Sequence, residues 1–354
     1  MAAAWAADTA RELRKPDPDP IVTDVYLAHL DALAISAAAE SGIAAELTVK
    51  PQGGRVVFPG VGSVVVGGAW IRAIAVDGRL SVQSDSASIA ASAWWPERRL
   101  SAGAGDLRSS VTLEDLSPHR HRYHAPAVER MDDEAYEDWQ AQFAAAWELI
   151  REYLPDRAPE LAVGVRSLVP LRSDDSSAAR SGTARDAVGA IGLTRPRSPV
   201  DLVVTLVHEL QHSKLSALLD LVTLYEPHGT ERHFAPWRTD PRPTGGLVQG
   251  VYAFLGVADA WRALRLAPAH RGVATREYAA VRRQVDVGLT ALEKSAELTA
   301  TGRRLAEGMR SQLDILLKEE LPAADEADAD ALLRRRQEKW QRVKESNRKA
   351  GGNL

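Results

Sequence analysis

Cysteine is absent from the 354 residues. That absence excludes disulfides, thiolate zinc sites, iron–sulfur clusters and cysteine nucleophiles together. A large charge of either sign is also missing: the formal net charge is −4, which supplies no electrostatic basis for nucleic-acid binding. No apolar run reads as long enough to cross a bilayer. Met1-Ala-Ala-Ala-Trp5 lacks the basic start and apolar centre of a secretory signal. A cytoplasmic protein without a membrane or nucleic-acid partner is therefore expected. There is no internal repeat. The remaining composition, 45% apolar and 26% charged, is that of a soluble globular chain, long enough for one large domain or two smaller ones.

The chemistry-bearing stretch is Leu206-Val-His-Glu-Leu-Gln-His-Ser-Lys-Leu-Ser-Ala-Leu-Leu-Asp220, which holds His-Glu-x-x-His at His208, Glu209 and His212. Residues four apart share a helix face, so His208 and His212 present two imidazoles to one point, and imidazoles suit a first-row divalent metal. A five-residue pattern needs context, and the context is helical. Leu202, Leu206, Leu210, Leu215, Leu218 and Leu219 recur at helical spacing. Ser198 is placed to cap, Pro199 to open the helix, and Asp201 three residues on completes a capping-box pattern.

Along the chain, residues 1–14 predict a short helix, broken by Pro16-Asp-Pro-Asp-Pro20. Residues 21–49 read as one long helix in which His29 is a packed or solvated residue rather than a ligand. Val, Ile, Gly and Ser then dominate residues 55–100. Arg55–Phe58, Gly62–Val66, Trp70–Val76 and Leu80–Val82 read as antiparallel strands, with a hairpin at Asp77-Gly78 and further strands near Ile89, Trp94-Trp95 and Val111–Leu113. His119, His121 and His124 crowd one segment, as a second metal site, as a loop reaching into the active site, or as solvated loop residues. A helix from Asp132-Asp133 to Pro155 buries Trp139, Phe143, Trp147 and Ile150. Residues 161–169 predict a strand and 172–185 an exposed loop. Residues 187–194 predict a strand whose free edge, by analogy with metallopeptidase-like folds, would hold an extended peptide. Residues 247–262 form a small-residue helix expected against the motif helix, and residues 269–319 one or two amphipathic helices. Residues 323–348 form a last helix, acidic first and basic last. The expected class is α+β: a mainly helical HExxH domain with an N-terminal antiparallel sheet region, and not a double-stranded β-helix. The expected domains are 1–130 and 131–354, with one continuous domain as the alternative.

A metal site needs a further protein ligand and open positions. The peptidase extension with Gly and a third His has Leu215 and Leu218 in those places. Asp220 lies two turns beyond His212, too far along the helix to share an ion. His228, His233, Gln249 and Asp259 remain as third-ligand candidates. Arg238 and Arg242 are the groups suited to clamp a carboxylate bidentately.

The run from His208 to Leu221, then Phe234-Ala-Pro-Trp-Arg-x-Asp-Pro-Arg-Pro243, then Gly246-Leu-Val-Gln-Gly-Val-Tyr-Ala-Phe-Leu-Gly-Val-Ala-Asp259, resembles the HExxH-motif peptide-modification family over about residues 187–262. The resemblance implies an Fe(II)- and 2-oxoglutarate-dependent β-hydroxylase of a ribosomally made precursor peptide. It also implies a separate radical S-adenosylmethionine maturase as a companion. It puts His208 and His212 on iron, Arg238 or Arg242 on the 2-oxoglutarate carboxylate, and Glu209 in a supporting role. Family members often carry a His where this chain reads Gln249 to Phe254; none is present, which leaves Gln249, His233 or water as third ligand. Two alternatives stand beside this: a zinc metallopeptidase with Glu209 as general base, and a metal-stabilised scaffold that only binds a peptide.

Overall fold

The compositional change after residue 40 becomes a change of architecture in the computed structural model, which describes residues 2–84, 89–121, 123, 125–173 and 179–349. The first element, α1 (Ala2–Leu13), ends before the proline run, and α2 (Pro20–Glu40) starts on Asp19, whose carboxylate accepts from the backbone of Ile21 and Val22. α2 stops at Ser41-Gly42, where Gly42 takes the left-handed conformation (φ 68°) that ends helices. The helix expected through residue 49 is therefore shorter. Its last five positions are β1 (Ala45–Val49), where β-branched Thr48 and Val49 pair with a later strand. Tertiary pairing overrides a helical period here.

The predicted β region follows: β2 (Arg55–Phe58), β3 (Gly62–Val65), β4 (Ile71–Val76), β5 (Arg79–Ser84), β6 (Trp94–Pro96), β7 (Arg98–Ala102) and β8 (Ser109–Leu113). Ile89 is not in a strand. Asp77 (φ 48°) and Gly78 (φ 74°) make the primed turn joining β4 to β5. Next come α3 (Asp133–Tyr153), α4 (Ala158–Gly164), β9 (Ser167–Leu171), β10 (Ser181–Thr183) and β11 (Ala190–Thr194). The strand expected at 161–169 is thus half helix and half β9. Finally come α5 (Pro199–Leu221), α6 (Thr244–Leu264), α7 (Arg271–Glu293), α8 (Ala300–Leu317) and α9 (Ala323–Lys349). Helix is 52% and strand 17%, and no described sheet closes into a barrel, so the class is α+β.

Contacts divide the chain into two units, and the division does not fall at residue 130. The first holds Met1–Ala144 and Val165–Pro196; the second holds Ala145–Gly164 and Arg197–Leu354. Residues 165–196 join the first unit because β9 runs parallel to β8, extending a mixed sheet of order β10-β11-β9-β8-β7. β11 is paired on both sides, antiparallel to β10 and parallel to β9. The free edge expected for it is absent because β10, in the stretch read as loop, covers it.

In the first unit two three-stranded sheets, β1-β4-β5 and β2-β3-β6, share an apolar cluster with α2. Ile35 and Ile71 are fully buried in it, each contributing roughly 2–3 kcal/mol by area. By length and composition α2 is apolar enough to cross a membrane, contrary to the reading of no such run. Glu40 stands at its end, so Asp24 and Asp31 are the charges within its apolar length. Here Ala32, Ile35 and Ala39 face the sheets, while Ile21, Val25, Leu27 and Leu30 are exposed.

The second unit is helical. α6 packs between α5 and α7, and α7 also carries α8 and α9. Arg282 of α7 is 2% exposed. It donates to the carbonyls of Leu316 (3.0 Å) and Glu319 (2.7 Å), closing the end of α8, and to Glu326 of α9 (2.6 Å). Removing this cation strands buried carbonyls at a helix end. Arg282→Ala is expected to lower unfolding stability by about 3 kcal/mol in chemical denaturation, against about 1 kcal/mol or less for exposed Arg232→Ala.

Candidate metal centre

Ser198 accepts from the backbone N–H of Asp201 (3.1 Å), and Pro199 opens α5 as the sequence predicts. The helix then carries His208 and His212 on one face. Their Nε2 atoms are 3.0 Å apart and the ring planes are nearly perpendicular at 83°. A hydrogen bond between neutral imidazoles has this length. Two nitrogens about 2.1 Å from a shared ion, at adjacent positions, show the same separation. Gln249 of α6 sets the orientation: its Oε1 accepts from His212 Nδ1 at 2.9 Å, which leaves the Nε2 lone pair facing His208. Burial, and next the neighbouring His212, pushes the His208 pKa down to about 3, so its ring is neutral and available as a ligand near neutral pH.

Aromatic packing fixes His208 from the other side. Phe254 meets it edge-on (centroids 4.9 Å), and Trp237 stacks on Phe254 at 4.8 Å. Trp237 comes from the Pro-rich segment between α5 and α6. It reaches α6 because residues 250 and 288 are glycine; a Cβ at either would collide with its ring. The same device recurs along α6. Gly245 receives the Tyr225 ring, and a Cβ at Gly246 would lie 3.0 Å from Arg242 Nε and 3.1 Å from its Nη2. Gly256 makes room for Gln211 of α5, which seats α6 on the motif helix as expected.

The segment is anchored by a polar network. His233 and Arg242 exchange backbone hydrogen bonds (2.8 and 3.0 Å). Buried Thr244 joins the His233 ring (3.0 Å) and the Glu297 carboxylate, and Glu297 accepts from the backbone of Glu231 (2.7 Å). Those backbone and Thr244 bonds hold the Glu297 carboxyl below the usual range. At the far end Arg336 of α9 donates to the Pro236 carbonyl at 2.9 Å.

Of the four third-ligand candidates, Gln249 is the one in contact with the histidine pair. His233 is engaged by Thr244, His228 is exposed, and Asp259 pairs with Arg157 at 2.9 Å. Among the described residues no group of three His, Cys, Asp or Glu is placed to hold a metal, so the donor set is two imidazoles with an amide behind one of them. That set supplies two imidazole donors at adjacent positions, and the further ligand expected from the sequence is not filled among the described residues. Glu209 is 2% exposed. Arg238 and Arg242 both hold Asp240, at 2.9 and 3.2 Å. Burial of Asp240 opposes its ionisation, but these hydrogen bonds outweigh it and keep its carboxyl low. Arg242 lines a cavity of about 350 Å³ together with Gln249, Tyr225 and Glu297, whereas Arg238 is exposed and does not line it.

Sequence reasoning missed Phe254, Trp237 and Thr244; for Trp237 the glycines at 250 and 288, which face its ring, were the available signal. Of the crowded histidines, His119 and His121 lie 3.7 and 3.4 Å from Asp8, with no described metal-holding group, and His124 lies outside the described residues. No protein-family model and no curated protein matches the chain.

Two outcomes are expected. Gly250→Ala should displace Trp237 and cost about 1–3 kcal/mol of stability, read by thermal denaturation. For His208 the folded pKa (about 3) lies below the unfolded value (about 6.5), so its contribution is present above pH 6.5 and lost as pH falls from there towards 3. Metal-free protein should lose roughly 1 kcal/mol per pH unit in that window from this residue, and His208→Gln should remove that slope.

Proposed function

We propose that the protein is an Fe(II)- and 2-oxoglutarate-dependent dioxygenase that β-hydroxylates a side chain of a ribosomally made precursor peptide in the cytoplasm, beside a separate radical S-adenosylmethionine maturase. The observation that carries this reading is the position of Gln249. Its amide oxygen accepts from His212 Nδ1, and the same side chain lines the cavity that Arg242 also lines, so one amide connects the histidine pair to a space with a guanidinium in its wall.

When bound, iron with 2-oxoglutarate and O₂ supplies the oxidising power for C–H hydroxylation. His208 and His212 would hold the ion, and Gln249, accepting from His212 Nδ1, fixes the tautomer that leaves its Nε2 able to ligate. Arg242, which lines the adjoining cavity and donates through Nη1 to Asp240, is the guanidinium that would take the co-substrate carboxylate. Phe254 and Trp237 shield one side of His208 from water. Glu209 is buried, which fits a supporting role better than activation of bulk water. That burial weighs against the zinc peptidase, in which this carboxylate must reach a metal-bound water.

The test is anaerobic reconstitution with Fe(II), followed by 2-oxoglutarate, O₂ and the precursor peptide. A product heavier by one oxygen atom is expected. Cleaved peptide identifies the zinc peptidase instead, and unchanged peptide with measurable binding identifies the scaffold. His208→Ala should abolish turnover. Gln249→Leu should weaken metal affinity roughly 10–100-fold. Arg242→Leu should raise the KM for 2-oxoglutarate by about tenfold or more with metal affinity retained.

A further inference from the structure

The first unit contains a second cavity, of about 370 Å³, between α2, β2 and the segment 116–121. That volume is within the range of roughly 300–1,000 Å³ typical of small-molecule sites. Val25, Ala28, Ala32, Val56 and Leu116 give it an apolar wall. Three rings stand together at it: His119 lies 5.7 Å from Tyr26 and 5.1 Å from His29, centroid to centroid. Among the described lining residues there is no carboxylate, while Lys50 and Arg55 are both present.

The charges are not equally compensated. Lys50 is paired with Asp24, and Asp8 serves Arg11 (2.9 Å) and the nearby His121. Arg55 has no described carboxylate within ion-pair distance. Its guanidinium carbon lies over the Trp95 ring, 3.7 Å from the centroid, which holds the group in place. Arg130, the neighbouring cation, is taken by Asp115 at 2.7 Å. Beside Arg55, the Gln52 side-chain amide nitrogen is buried with no hydrogen-bond partner. The His29 ring makes aromatic contacts only, and burial, followed by the charge of His119, lowers its pKa to about 4, which keeps it neutral. An unsatisfied buried donor and an uncompensated cation both ask for an acceptor-bearing anion.

We propose that this cavity binds a small amphipathic carboxylate, its apolar body against the α2 wall and rings and its carboxylate on Arg55 and Gln52. A planar guanidinium held on an indole favours the two-oxygen geometry of a carboxylate. The site is independent of the histidine pair of α5.

The experiment titrates the full chain calorimetrically with 4-phenylbutyrate and with its uncharged analogue 4-phenylbutanol. The carboxylate should bind at least about tenfold more tightly, as one charge-assisted hydrogen-bonded pair requires. Arg55→Gln should bring the two within about twofold, and Arg55→Lys should keep part of the preference, which covers the case of a Gln variant that does not fold. Ala28→Leu, which fills the cavity, should abolish binding of both. No binding to the wild type at millimolar concentration, equal affinity for acid and alcohol, or binding lost in Arg242→Leu but kept in Arg55→Gln would overturn the assignment.

Discussion

The candidate metal centre depends on how closely one helix lets its neighbours approach. α6 has no side chains at positions 245, 246, 250 and 256. Tyr225, Arg242, Trp237 and Gln211 occupy the space those side chains would fill. A close-packed interior cannot absorb a methyl group without moving something, so these glycines position their neighbours. Trp237 then supports Phe254, Phe254 supports His208, and the same helix turn supplies Gln249 to His212. The orientation of both imidazoles is thereby coupled to backbone contacts rather than to loop conformation alone.

Electrostatics completes the arrangement. The desolvated His208 stays neutral, and a carboxamide behind His212 orients its ring without adding a negative charge. Negative charge near the site is instead locked in the Asp240–arginine pairs and in Glu297 with its network. The result is a desolvated, neutral His208 paired with His212, with Arg242 lining the cavity that Gln249 adjoins.

Local patterns made much of this legible. The Ser198-Pro199 start, the apolar period of α5 and the four-residue spacing of the histidines placed both imidazoles on one face. The Asp77-Gly78 turn and the alternating Val and Ile residues marked the β4–β5 hairpin. Two errors shared one cause. Residues 45–49 and 161–169 are short apolar runs, which a period of 3.6 or 2 cannot assign alone. Their fate was decided by partners: β1 by pairing with β4, and β9 by lying between β8 and β11. The supposed free edge at 187–194 failed similarly, because three residues at 181–183 supply a strand too short to read.

Sequence by itself determined that the chain uses no sulfur ligands, that a β-rich stretch follows the N-terminal helices, and that His208 and His212 share one helix face. These are properties of composition and of spacing along one element. Tertiary structure decided which candidate meets that pair. His233 and Asp259 were taken by Thr244 and Arg157, and Gln249 was brought to His212. It also decided that Arg242 rather than Arg238 lines the adjoining cavity. Those outcomes depend on the packing of residues 225–243 over the glycine face of α6, a contact between segments that no local pattern encodes.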